Sequence, residues 1–413
     1  MQPPSASCIL HPVCLILLSL TVAASTLGFT RPPQVPPGLD VSNIGVYYTF
    51  GQQITFTARL TSSIPITQAA ISFRDINEQN TRVEPLVLNP DGSVSYQYDA
   101  SQKNIRPFAT ILFSYQATLA DGETVTSGLF NFKYEDNRFP WKSLVQDSLT
   151  VHWYEGNDAF GQAALEAARI GLQNMSTLLP VASPAPLDVY VYSTSGNLQN
   201  ALALGGSPWI AGHADPALGV VLVAAAPGDA QTIELQRQIP HELARVMLYR
   251  SLGVGYAHLP AWLNEGIASM NELNPNPDYA IALQAADASD ALIPISDLCA
   301  SFPADSGRAF LAYAESGSFV RYLRDTYGST GLVALTRAYA DGLDCDLGAT
   351  RAVGSPLNQL DARWRESALG QNMMSVAMRN LSPYLLILGL ILIVPITGAV
   401  IMSIQRRRDA RAK

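Results

Sequence analysis

Two short stretches constrain this chain more than any other part of it. The first is Pro240-His241-Glu242-Leu243-Ala244-Arg245, and the second is Leu259-Pro260-Ala261-Trp262-Leu263-Asn264-Glu265-Gly266. Residues four apart on a helix lie about 40° apart around its axis, so positions 241 and 245 share a face. Two imidazoles at that spacing can meet one metal ion, and a glutamate between them can act as general base on metal-bound water. Here the second position is Arg245. Arginine stays protonated and offers no lone pair, so it cannot ligate zinc. Glu265 lies 19 intervening residues beyond Arg245.

A hydrophobic share of 48% against 15% charged residues is inflated by apolar segments at both ends. The first, Val13 to Ala24, is too short to span a bilayer comfortably and ends in small residues. It reads as a signal peptide over residues 1–24, cleaved after Ala24. Its leading residues hold no Lys or Arg, and an uncleaved N-terminal anchor is the other reading. The second, Tyr384 to Ile404, is 21 residues without a charge. As a helix it is about 31 Å long, enough to cross the hydrocarbon core. Arg406, Arg407 and Arg408 follow in a basic tail, residues 405–413. The positive-inside rule puts that tail in the cytoplasm. The expectation is a single-pass protein of the cell membrane, anchored by its C-terminal helix, with the bulk of the chain extracytoplasmic. The net charge of −8 belongs to that outer part and argues against nucleic acid as a partner. Cys8 and Cys14 leave with the signal. Cys299 and Cys345 remain as an even pair in an oxidising compartment, which favours a disulfide over two buried thiols.

Between the ends the pattern changes once. From about residue 30 to 140 it is β. Val46–Phe50, Ile54–Ala58, Ala70–Phe73, Ser93–Tyr98, Thr110–Ala117 and Gly128–Tyr134 are short runs rich in β-branched and aromatic residues. Asn89-Pro90-Asp91-Gly92 and Ala120-Asp121-Gly122 mark turns between them. Such spacing suggests an immunoglobulin-like β-sandwich. From 143 to 372 strands alternate with helices, then helices alone follow. Leu149–Trp153, Leu187–Tyr192 and Leu218–Ala224 read as strands, and Asp158–Leu178 as an amphipathic helix. The fold class expected is α+β.

Residues 143–372 resemble the peptidase MA-like domain of gluzincin-type metallopeptidases, distantly related to the aminopeptidase N group. Pro240 to Arg245 aligns with the H-E-x-x-H motif of that family, and Trp262-Leu263-Asn264-Glu265-Gly266 matches its second motif at every position. Tyr313-Ala314-Glu315-Ser316 resembles a third segment, with Ser316 in place of a glycine. The resemblance implies a zincin-like fold with an α/β part and a helical part. It implies zinc as the cofactor of an active member, with His241 and Glu265 as metal ligands, Glu242 as general base and Tyr313 as the hydroxyl that steadies the oxyanion. It implies a peptide or protein as substrate or ligand, added in β fashion along Val220 to Val223. The chain departs from the family at Arg245, and its spacing to Glu265 is one residue longer than usual.

Each residue also has a plainer reading. His241 and Tyr313 can serve as ordinary packed side chains, and Glu242 can pair locally with Arg245 on its own helix. His258 and His213 lie near enough in sequence to supply a missing nitrogen, although both read more simply as loop histidines. Arg245 carries a sharper reading. Its guanidinium can take the place of a metal ion and hold Glu265 in a two-bond pair. Two functions follow. One is a pseudopeptidase or peptide-binding module with a degenerate, metal-free site. The alternative is an active zinc-dependent metallopeptidase whose site another ligand completes. The membrane topology has its own test. Protease added to intact cells should digest the outer region and leave a C-terminal epitope protected; a tail cleaved from outside would refute the orientation.

Overall fold

A computed structural model of the protein describes residues 38–102, 105–179, 186–203 and 212–370, with isolated positions between 381 and 391. The expected signal peptide lies outside these residues, as does most of the expected membrane helix. Among the described residues no helix is long and apolar enough to cross a membrane.

The N-terminal half is a two-sheet β-sandwich. Its strands are β1 (Asp40–Thr49), β2 (Gln53–Thr61), β3 (Ile66–Asp75), β4 (Arg82–Leu86), β5 (Ser93–Asp99), β6 (Thr110–Leu119), β7 (Thr124–Thr126) and β8 (Phe130–Lys133). One sheet has the order β1-β2-β5 and the other β4-β3-β6-β7, with β8 also pairing to β6. Alternation drives this arrangement. On β2, Ile54, Phe56, Ala58 and Leu60 point inward and are buried. Phe56 meets Phe73 and Phe113 across the layer, each at a ring-centroid distance of 5.3 Å. Two strands escape a reading of the sequence. β4 carries Pro85, which a sheet tolerates at its edge, and β7 is too short to show a period.

The second half is built on a mixed sheet of order β12-β13-β11-β10-β9. Its elements are β9 (Lys142–Gln146), β10 (Leu149–Trp153), α1 (Asp158–Leu178), β11 (Leu187–Tyr192), α2 (Ser195–Ala203), β12 (Gly212–Asp215), β13 (Val220–Ala224) and α3 (Gln231–Leu252). Strands β10, β11 and β13 run parallel, while β9 and β12 pair antiparallel at the two edges. This corrects the placement of Val220–Val223 as the edge. All five residues of β13 are buried, as an internal strand requires, and the polar β12 covers its outer side.

Five α-helices follow among the described residues: α4 (Ala261–Asn271), α5 (Asp278–Ala288), α6 (Ser306–Ala340), α7 (Cys345–Val353) and α8 (Leu357–Ala368). Gly328, at φ 70°, breaks α6. Cys299 and Cys345 form a disulfide across 46 residues, with Cα atoms 6.3 Å apart. Closing a loop of that length restricts the unfolded chain by about 4 kcal/mol on the entropic account.

The two halves share one apolar cluster. Phe108 of the sandwich lies against Tyr190 of β11 at 4.5 Å between ring centroids. Around them Tyr190 donates to Glu135 at 2.7 Å, Tyr192 to Asp136 at 2.9 Å, and Lys133 to Asp188 at 2.9 Å.

Inside the helical layer Glu315 of α6 is fully buried, at 0% exposure. One of its oxygens accepts from Ile293 N at 2.9 Å. Burial pushes its carboxyl up to about 8, against the pull of that bond and of Arg365. Between its ordinary value of 4.5 and about 8, the folded chain therefore holds a proton that the unfolded chain has lost. Stability from this group falls as pH rises through that window. Glu315→Gln removes the titration. Urea midpoints should show the variant gaining on the wild type from pH 5 to pH 8, and an equal gap at both pH values would count against it.

Candidate active site

The site forms where α3 meets α4. Pro240 interrupts α3, because it has no N–H to offer the Gln236 carbonyl. That carbonyl accepts instead from Leu273 N at 2.9 Å, and Asn271 Nδ2 donates to the Pro240 carbonyl at 2.7 Å. The end of α4 is thereby stitched to the turn that precedes His241. Gly171 of α1 makes room on the other side. A Cβ there would fall 2.9 Å from Pro240 Cβ. Gly266 answers a similar need, since its Cβ would lie 2.4 Å from Val320 Cγ2 on α6. Trp262, fully buried, packs on Phe319 at 5.1 Å between ring centroids and turns its helix so that Glu265 faces α3.

Arg245 Nη2 donates to Glu265 Oε2 at 2.6 Å and lies 3.3 Å from His241 Nε2. Arg245 Nε stands 3.4 Å from Glu242 Oε2. The guanidinium therefore spans two carboxylates, where a two-bond pair with Glu265 alone was expected. Both carboxylates are buried and need the same cation, so it is shared. His241 Nε2 also lies 3.5 Å from Glu265 Oε2. Its Nδ1 donates to Glu272 Oε1 at 2.9 Å. Burial works against charge on this imidazole, but Glu265 and Glu272 outweigh it and push it up to about 9. Burial likewise raises Glu265, and Arg245 with His241 reverses that, holding the carboxyl below its usual range. Tyr313 of α6 stands beside this cluster, its ring centroid 6.5 Å from that of His241. Burial, with Glu265 adding to it, pushes the phenol up to about 12, so it is a hydroxyl donor at neutral pH.

The fold thus brings together His241, Glu242, Arg245, Glu265 and Tyr313. His213 comes close as well. It sits on β12, where burial lowers its basicity and Glu242, Asp215 and Arg245 all act on it. His258 does not join them; it is exposed and directed at the Ala340 carbonyl, 3.2 Å away. Glu272 escaped the sequence reading. Its signal was its place two helical turns beyond Glu265, on the same face.

Zinc would need the space between His241 and Glu265. Arg245 Nη2 crowds that space from beside it, 3.3 Å from one and 2.6 Å from the other. A protonated guanidinium there repels a divalent cation and leaves two protein ligands, where a catalytic site takes three. The residues present do not fit the metal. Among the described residues no group of three or more His, Cys, Asp or Glu is placed to hold one.

Residues 167–370 match the family model described as the Peptidase MA superfamily. The chain carries a peptidase MA-like domain over that region. No curated protein matches the chain. Among solved structures the chain is weakly similar to one titled "Myokine structure", at 16% identity and TM-score 0.19, over 23% of this chain and 95% of that one. Wild-type OgpA from Akkermansia muciniphila is similar at 17% identity and TM-score 0.21, over 24% of this chain and 28% of that one. Likenesses this slight bear on neither fold nor function.

Arg245 lies within ion-pair distance of both Glu242, at 3.4 Å, and Glu265, at 2.6 Å. Removing one partner of a buried ionic cluster costs about 3–5 kcal/mol, because it strands the other charges. Arg245→Met should lower the urea-unfolding free energy by that order. A loss under about 1 kcal/mol, as for an exposed pair, would show that the guanidinium does not hold the site together.

Proposed function

We propose that this protein is a membrane-anchored, extracytoplasmic pseudopeptidase of gluzincin type, a module that binds peptide without cleaving it. The observation that carries the reading is the Arg245 guanidinium set against both His241 and Glu265. A gluzincin needs a Lewis acid at that point to make hydroxide at neutral pH. Arg245 supplies a positive charge of fixed protonation and no open coordination position. Glu242, bound to Arg245, has no activated water to deprotonate. What remains is a cleft with the Tyr313 hydroxyl on one wall and β12 on the other. An extended peptide adds to the outer edge of β12, where backbone hydrogen bonds give affinity. The β-sandwich, immunoglobulin-like in this reading, positions or binds and holds no reactive cluster. The C-terminal apolar segment fixes the module to the membrane.

The test is metal content and its reversal. The purified outer region should bind zinc weakly or not at all by elemental analysis, and cleave no peptide in a chelator-sensitive way. Arg245→His restores an imidazole one turn from His241, with Glu242 between. That variant should gain zinc and some peptidase activity. Adding Glu242→Gln to it should abolish the activity and spare the metal. Stoichiometric zinc in the wild type would overturn the reading and point to His213 as the ligand that completes an active site. A revertant that binds no zinc would limit the peptidase likeness to the fold.

A further inference from the structure

We infer that the β-sandwich braces the ligand-bearing edge of the cleft through Arg106, which is a positioning residue for β12. This rests on the reading of β12 as the edge to which peptide adds. Among the described strands β12 pairs with β13, with His213 opposite Leu222 and Asp215 opposite Val220. Side chains alternate along a strand, so His213 and Asp215 share a face. Their partners on β13, Leu222 and Val220, belong to the apolar cluster shared with the sandwich, so that face looks toward the sandwich, while Ala214 on the opposite face packs in the cluster that holds Leu243 and Val246 of α3.

Asp215 closes the turn from β12 to β13. Its Oδ1 accepts from Leu218 N at 3.1 Å, and its carbonyl accepts from Gly219 N at 3.0 Å. The same carboxylate reaches into the sandwich. Arg106 Nη1 lies 3.3 Å from Asp215 Oδ2, while Arg106 Nε lies 3.0 Å from Asp75 Oδ2 and Nη2 3.4 Å from Asp75 Oδ1. Asp75 ends β3, is 3% exposed, and also accepts from Asn77 N at 2.9 Å. One guanidinium thus joins a buried carboxylate of the sandwich to the carboxylate at the foot of the edge strand.

The segment that carries Arg106 is itself seated on the mixed sheet. Phe108, two residues on, is buried against Tyr190 and held at φ 64°, a conformation that bulky residues rarely adopt. Its N–H donates to the Tyr134 carbonyl at 2.9 Å, and Ala109 N donates to the Arg106 carbonyl at 3.3 Å. Arg106 therefore does not swing freely. Without it, Asp75 and Asp215 face each other with no cation between them, and the like charges push the end of β12 away. The sandwich would then affect the cleft without touching the ligand.

Hydrogen exchange on the full chain tests this. Arg106→Gln should raise exchange of the β12 amides, residues 212–215, by about tenfold or more, while β13 and α3 keep their protection. Asp215→Asn retains an oxygen for Leu218 N but loses the charge, and should show the same selective rise. Arg106→Lys should recover part of the protection. No change at β12 in either charge-removing variant would overturn the inference. So would an equal rise across β10, β11 and β13, which would mean general destabilisation. The readout uses neither ligand nor metal. A zinc-binding wild type would defeat the pseudopeptidase reading and leave this result standing.

Discussion

Between Arg245 Nη2 and Glu265 Oε2, 2.6 Å apart, runs the contact around which the helical layer is arranged. Taking an ion out of water costs several kcal/mol. Two opposite charges about 4 Å apart return about 4 kcal/mol at an effective dielectric of 20. A single pair thus does little better than break even. The site holds Glu242, Glu265 and Glu272, all on or beside α3 and α4, against His241 and Arg245. Three of these five ions have more than one partner, while Glu242 and Glu272 have one each. Glu265 draws on both cations, Arg245 on two carboxylates, and His241 on Glu265 and Glu272. The consequence is an all-or-none cluster: it specifies how α3 and α4 meet, and any one member stranded alone is expensive.

Packing delivers those ions to one another. Pro240 opens the α3 ladder, and the chain after α4 fills the gap through Leu273 and Asn271. Gly171 and Gly266 let α1 and α6 close in from opposite sides. The helix dipole is not needed to explain the site. The polar stitches at Pro240 set the register in which Glu272 reaches His241 and Glu265 reaches Arg245.

Much of this was legible before the structure. Period-two burial on β2 and β6 announces a sandwich, and the apolar face of Asp158–Leu178 announces α1 at its observed bounds. The chemistry of Arg245 follows from its residue type alone, since a guanidinium beside two carboxylates has one use. Other parts were hidden for physical reasons. Gly212-His213-Ala214-Asp215 has no β pattern, because an edge strand needs no apolar face, and so the neighbouring valine run was taken for the edge. Lys142–Gln146 is exposed at four of its five positions and hides β9 in the same way. Glu272 carried a spacing signal relative to Glu265, but its contact with His241 depends on how the end of α4 is stitched to α3, which is a tertiary fact.

The same physics bears on what the motif residues mean. Glu242 and Glu265 are the residues by which a peptidase of this kind would be recognised. In this chain both are held by Arg245, and neither could be freed of it without stranding a buried charge. Their presence is explained by the stability of the cluster, whether or not a bond is ever cleaved. A histidine-to-arginine exchange at a ligand position thus differs from most losses of a ligand. On the proposed reading it supplies a cation in place of a metal's charge, so the carboxylates around it remain compensated. On that reading the fold keeps its tyrosine and its edge strand, the remaining motif residues cease to report on activity, and position 245 carries that information.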